Sequence, residues 1–202
     1  MKIIGGILAG GRGRRMTGID KPFASLAGQP LIAHVIARLA PQTDSIVLNA
    51  NADLARFEQF GLDVVADQIE GYRGPLAGIH TLMQAAQARG ASHVLVVPAD
   101  TPFLPKDLAT RLSSSDLDDN TVRIACSYDR THPVVALWPV CLAAGLAKHL
   151  STTDDLSMAA YLRSIPTAEI DFTQTGKSDP FFNINEPADL DQAERLFAQT
   201  DV

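Results

Sequence analysis

Residues 8–21 read Leu-Ala-Gly-Gly-Arg-Gly-Arg-Arg-Met-Thr-Gly-Ile-Asp-Lys, with Arg12, Arg14, Arg15 and Lys21 inside ten positions. An even spread of the 17 Lys and Arg residues would put about one cation there, on a chain whose formal charge is −6. Gly10 and Gly11 let backbone approach a ligand closely. Cations set among such glycines suit a polyphosphate, with N–H groups for the oxygens and side chains for the charge. The spacing excludes two common phosphate motifs. Gly13 and Gly18 have the gap of a P-loop, but Ile19 and Asp20 follow where Lys and Ser or Thr are required. The dinucleotide fingerprint begun by Gly11 and Gly13 is broken at Met16. The alternative is a surface turn carrying scattered arginines.

A second carrier of chemistry is Pro98-Ala99-Asp100-Thr101-Pro102, which follows the apolar run 93–97. A buried strand there delivers Asp100 just past its carboxyl end, where ligands bind in open α/β sheets. A hard oxygen ligand at that place suits magnesium on nucleotide phosphates; a plain turn before Pro102 is the alternative. Asn49, Asn51 and Asp67 close other expected strands on the same edge, and an Asp can accept two N–H bonds from a guanine edge. Gly74 and Gly78 open an amphipathic helix and leave room for a ligand at its positive end. Asn183 and Asn185 lie two apart, so an extended segment turns both to one face; Asn185 or Glu186 could instead simply cap the helix that Pro187 begins. His132 sits in a polar turn, 129–133, and could meet phosphate or a heterocycle, whereas His34, His80, His93 and His149 carry no specific role.

These residues need elements to hold them. Apolar runs at 2–8, 45–49, 62–66 and 92–97 read as strands. Between them Leu31, Ile32, Val35, Ile36 and Leu39 recur on one helical face after Pro30, and Leu76, Ile79, Met83 and Ala86 do so before Gly90. Continuous rather than alternating strand hydrophobicity predicts a mostly parallel, Rossmann-like sheet covered by helices on both faces, a three-layer α/β/α fold. Farther on, 122–127 and 133–138 read as strands, and 140–150, 157–163 and 187–199 as helices. At 202 residues, with no repeat or long linker, one domain is expected over 1–202. A hydrophobic content of 46% without an apolar stretch near about 20 residues, and no signal-peptide pattern, predict a cytoplasmic protein with no membrane span. Cys126 and Cys141 match no zinc spacing and agree with a reducing compartment. An acidic pI near 5.2 argues against nucleic acid as a partner.

The Leu-Ala-Gly-Gly start followed by Arg15-Met16 and Asp20-Lys21 resembles nucleotidyltransferases that couple a nucleoside triphosphate to a phosphorylated acceptor. With Gly74-Pro75-Leu76-Ala77-Gly78, Pro98-Ala99-Asp100-Thr101-Pro102, His132-Pro133 and Asn183-Ile184-Asn185-Glu186-Pro187, the resemblance narrows to the molybdenum cofactor guanylyltransferases. That family joins GMP from GTP to the terminal phosphate of Mo-molybdopterin and releases pyrophosphate. The resemblance implies Leu8, Ala9, Gly10, Gly11, Lys21, Asn49, Asp67 and Asp100 as GTP ligands, and Arg15, Lys21 and Asp100 as catalytic groups. It also implies Asp100 as the Mg2+ ligand, and Gly78, His132, Asn183 and Asn185 on the acceptor. By the same resemblance, residues 1–105 mainly bind nucleotide and 106–202 mainly the acceptor. Transient contact with cofactor-synthesis proteins or recipient apoenzymes is implied as well. Glu186 stands where many members place threonine before the proline. The competing readings are the sister cytidylyltransferase, a sugar-phosphate or cobinamide-phosphate nucleotidyltransferase, and a GTP-binding regulatory or carrier protein without turnover.

Overall fold

The computed structural model describes residues 1–9, 20–69, 74–114, 118–173 and 178–200. In chain order it runs β1 (Ile3–Leu8), a 3-10 turn (Lys21–Phe23), the short hairpin β2 (Ser25–Leu26) and β3 (Gln29–Pro30), α1 (Leu31–Leu39), β4 (Ser45–Asn49), a 3-10 segment (Leu54–Phe60), β5 (Asp63–Val65), α2 (Pro75–Ala88) and β6 (His93–Pro98). There follow α3 (Leu108–Ser113), β7 (Val122–Ser127), β8 (Arg130–Pro139), α4 (Ala143–Thr152), α5 (Met158–Leu162), β9 (Thr167–Asp171) and α6 (Pro187–Thr200). Seven strands form one sheet in the order β5-β4-β1-β6-β8-β7-β9. β8 alone runs against the others, pairing antiparallel with both β6 and β7.

The sheet is buried on both faces, which is why its central strands read as unbroken apolar runs. Ile7, Leu48, Leu95 and Val97 meet α1 and α3 on one face through Val35, Leu39, Leu108 and Leu112. Ile4, Val47, Val94, Val96 and Trp138 meet α2, α4 and α5 on the other through Ile79, Met83, Leu146, Leu150 and Tyr161. The two glycines inside β1 let a helix pack close on each face of the sheet. A Cβ on Gly5 would lie 2.8 Å from Leu39 of α1, and one on Gly6 would lie 2.9 Å from Leu82 of α2. A third cluster joins the β2–β3 hairpin to the C-terminal segment through Ala24, Leu26, Leu31, Ile184 and Ala193. No helix among the described residues is long and apolar enough to cross a membrane.

Several expectations need correction. Pro30 is the residue before α1 and pairs within the hairpin, with φ −58° and ψ 144°, instead of opening the helix. The polar turn expected over 129–133 is narrower: Tyr128 and Asp129 make it, both left-handed at φ 49° and 58°, and β8 already begins at Arg130. The helix expected from 140 is a 3-10 turn (Val140–Leu142) before α4 starts. α3 and β9 were not expected; β9 alternates exposed and half-buried residues at the sheet's edge and carries little apolar signal.

Candidate active site

Parallel strands deliver their carboxyl ends to one edge. Leu8, Asn49 and Pro98 end β1, β4 and β6 there, and Ala9 N–H still donates to Asn49 O at 2.8 Å while Ala99 N–H donates to Leu8 O at 3.0 Å. Because β8 runs the other way, its first residues arrive at this same edge. The result is a cleft of about 1380 Å³ whose lining includes Ala9, Lys21, Asn51, Asp100, His132 and Asn183. Gly10, Gly11 and Arg15 lie outside the described residues.

At one end Lys21 Nζ donates to Asp100 Oδ2 at 2.6 Å and to Asn185 Oδ1 at 2.5 Å. The two charged side chains are each about one-sixth exposed, 17% and 16%. Three separate pieces of chain hold this contact. Lys21 sits on a 3-10 turn fixed by Pro22, and the preceding Asp20 is ion-paired to Arg56, which stacks over the Phe23 ring at 3.9 Å. Asp100 follows β6, and its carbonyl accepts Ile184 N–H at 3.1 Å. Ile184 is buried, whereas Asn183 and Asn185 on either side of it are exposed, the alternation expected of extended chain. Asp189 closes the start of α6 by accepting Asn185 N–H at 2.7 Å and Glu186 N–H at 3.0 Å, so the cap comes from inside the helix and needs no threonine at 186. The side chain of Asn185, expected on the acceptor, lies with Lys21 and Asp100.

Asp100 Oδ1 is buried and has no hydrogen-bond partner among the described residues. Among the described residues no group of three or more His, Cys, Asp or Glu could hold a metal alone. One carboxylate and one amide oxygen, completed by substrate phosphates and water, is a donor set that fits magnesium, which keeps several waters and binds through few protein oxygens. The described lining supports the need for cations, since Asp20, Asp53, Asp100, Asp179, Glu186 and Asp189 face only Lys21 and Arg130.

A second group lies at the ends of β4 and β5. Asn49 Nδ2 donates to Asp67 Oδ1 and Asn51 Nδ2 to Asp67 Oδ2, both at 2.8 Å, while Asp67 N–H donates to Asn51 Oδ1 at 2.8 Å. Each carboxylate oxygen keeps a lone pair, so Asp67 is held in place and still able to accept. Gly78, which the resemblance places on the acceptor, is buried behind this group, and a Cβ there would lie 2.6 Å from both Asn49 Oδ1 and Leu8 Cδ2. Its lack of a side chain lets α2 press against β1 and β4.

Across the cleft, His132 Nε2 lies 2.8 Å from Ser127 Oγ, which donates to Asp179 Oδ1 at 2.7 Å. Burial holds the His132 imidazole below its usual pKa, Asp179 working against that and Arg130 with it. Neither Ser127 nor Asp179 stood out in the sequence. The hairpin register was the missing signal: His132 pairs with Ala125, which puts Ser127 diagonally beside it on one face.

Comparison with known proteins shows the family and the fold. A family model described as MobA-like NTP transferase domain matches residues 5–167. A molybdenum cofactor guanylyltransferase of Rhodopseudomonas palustris (strain BisB5) is 45% identical over 193 residues, covering 94% of this chain and 91% of its own. One from Bradyrhizobium sp. (strain ORS 278) is 44% identical, covering 96% and 93%. The fold matches the crystal structure of molybdopterin-guanine dinucleotide biosynthesis protein A from Archaeoglobus fulgidus with a TM-score of 0.72 at 24% identity, over 98% of this chain and 100% of that one. With a family model matching residues 5–167 and relatives matched over more than nine-tenths of its length, the chain belongs to the MobA-like NTP transferase family.

Proposed function

We propose that this nucleotidyltransferase moves GMP from GTP to the terminal phosphate of Mo-molybdopterin, releasing pyrophosphate. The observation that carries the reading is Lys21 held between Asp100 and Asn185 at the carboxyl edge of the sheet. The acceptor phosphate has a second pKa of about 6 and is already ionised at neutral pH, so the chain needs no general base. Its task is to bring two polyanions together and to stabilise charge on the departing pyrophosphate.

Lys21 is suited to leave its carboxylate for the triphosphate, with Arg15 and the amides of Gly10 and Gly11 as further phosphate ligands. Asp100, whose Oδ1 has no partner among the described residues, and Asn185 are the residues that would hold Mg2+, which would neutralise phosphate charge when bound. Asp67, steadied by Asn49 and Asn51, is the candidate acceptor for the N–H edge of guanine, and a site built on such bonds discriminates strongly against bases that lack them. Leu8 and Ala9 would line the base and ribose, and Asn183 would meet the acceptor. Pyrophosphate release with Mo-molybdopterin and each of the four nucleoside triphosphates tests the proposal. Turnover with GTP alone supports it; preference for CTP would move the chain to the sister cytidylyltransferase, and GTP binding without turnover would make it a carrier.

A further inference from the structure

The proton on Ser127 decides what His132 can bind. An ionised carboxylate can only accept, so the hydroxyl hydrogen of Ser127 is committed to Asp179 Oδ1, which also accepts Phe181 N–H at 2.9 Å. Ser127 Oγ therefore offers His132 Nε2 a lone pair, and Nε2 must carry the ring proton of the neutral imidazole. Nδ1 is left as a bare acceptor, with no hydrogen-bond donor of the described residues upon it, in a ring that lines the cleft. The ring is held firmly. Its side chain is 10% exposed and lies against Phe181, centroids 4.7 Å apart, and Phe181 packs edge-on to Phe172.

A lone pair repels phosphate oxygens and attracts N–H groups. We propose that Ser127 and Asp179 are positioning residues that lock His132 as its Nε2–H tautomer, so that Nδ1 accepts a hydrogen bond from the N–H-bearing heterocycle of the acceptor substrate. The inference rests on the proposed function and orients its acceptor: the heterocycle meets the start of β8, and the phosphate is left to reach Lys21 and Asp100 across the cleft. The charged groups facing the ring are Asp179 and Arg130.

The test uses the full chain with histidine labelled by 15N, and free pterin as the probe. In the unaltered chain at neutral pH the imidazole resonances of His132, assigned through contact with the Phe181 ring, should be those of the Nε2–H tautomer. Pterin should bind saturably, and its affinity should fall as acid protonates Nδ1 and removes the acceptor. His132→Phe, which keeps a ring against Phe181, should weaken pterin binding about two- to tenfold while GTP affinity stays unchanged. Ser127→Ala should raise the pH midpoint of pterin binding, because Asp179 then faces the imidazole without a hydroxyl between them. An Nδ1–H or doubly protonated ring at neutral pH, no saturable pterin binding by the unaltered chain, or an unchanged affinity in His132→Phe overturns the proposal. Pyrophosphate release from GTP and molybdopterin separates the two readings. Turnover with an unchanged acceptor KM in His132→Phe sinks this inference alone, whereas pterin binding through His132 without any turnover sinks the proposed function alone.

Discussion

Lys21 is the residue on which the candidate site closes, because one ammonium group answers both Asp100 and Asn185. On the proposed function, Lys21→Ala would remove a charge-assisted contact to triphosphate worth about 1.5–3 kcal/mol, so GTP affinity or kcat should drop about ten- to a hundredfold. Unchanged values in both would mean that Lys21 is not a phosphate ligand. The two asparagines should separate. Asn185→Ala should weaken GTP titrated with Mg2+ in the absence of acceptor, since Asn185 Oδ1 lies on the Lys21–Asp100 pair. Asn183→Ala should leave that titration within a few fold and raise the acceptor KM instead. Equal effects of both on GTP would erase the division.

At the scale of elements, Gly78 shows how α2 and the sheet edge depend on each other. Gly78→Ala gains about 1 kcal/mol of helix propensity, but the added methyl must displace Asn49 or Leu8 from 2.6 Å in a buried layer, at a cost of about 1–3 kcal/mol. Overpacking should win: the melting temperature should fall, and GTP affinity with it because Asn49 steadies Asp67. A higher melting temperature with full affinity would show that the layer can open at no cost. The same layer explains what the sequence did and did not disclose. β1, β4 and β6 were legible because both of their faces are buried, and α1 and α2 because one face of each carries a regular apolar stripe. The start of β8 was hidden because Arg130, Thr131 and His132 are polar and follow a turn made by Tyr128 and Asp129, residues without the usual glycine signal. Lys21, Asp100 and Asn185 could each be singled out by local pattern. Their meeting could not, since it depends on a backbone bond from Ile184 to Asp100 that no local rule foresees.

Across the whole molecule, three buried or half-buried histidines are shifted in one direction. Burial is the first cause at His80, His93 and His132, each held below the ordinary value of 6.5. The unfolded chain takes up protons as pH falls through that value, while the folded chain takes them up only lower. Stability is therefore fully present above about 6.5 and is lost progressively below it. The urea midpoint should be lower near pH 5.5 than near pH 7.5, and an equal or higher one would contradict the assignment. The contact that joins Lys21, Asp100 and Asn185 has a consequence in time as well as in space. Its partners are 79 and 164 residues apart, so closing it carries the loop entropy of most of the chain and should come late in folding. Trp138, fully buried beneath α4 and α5, should regain its native fluorescence before turnover returns after dilution from denaturant. On the roles proposed for Asp100 and Asn185, a half-made chain would lack half of its magnesium-holding pair until the segment before α6 had been made.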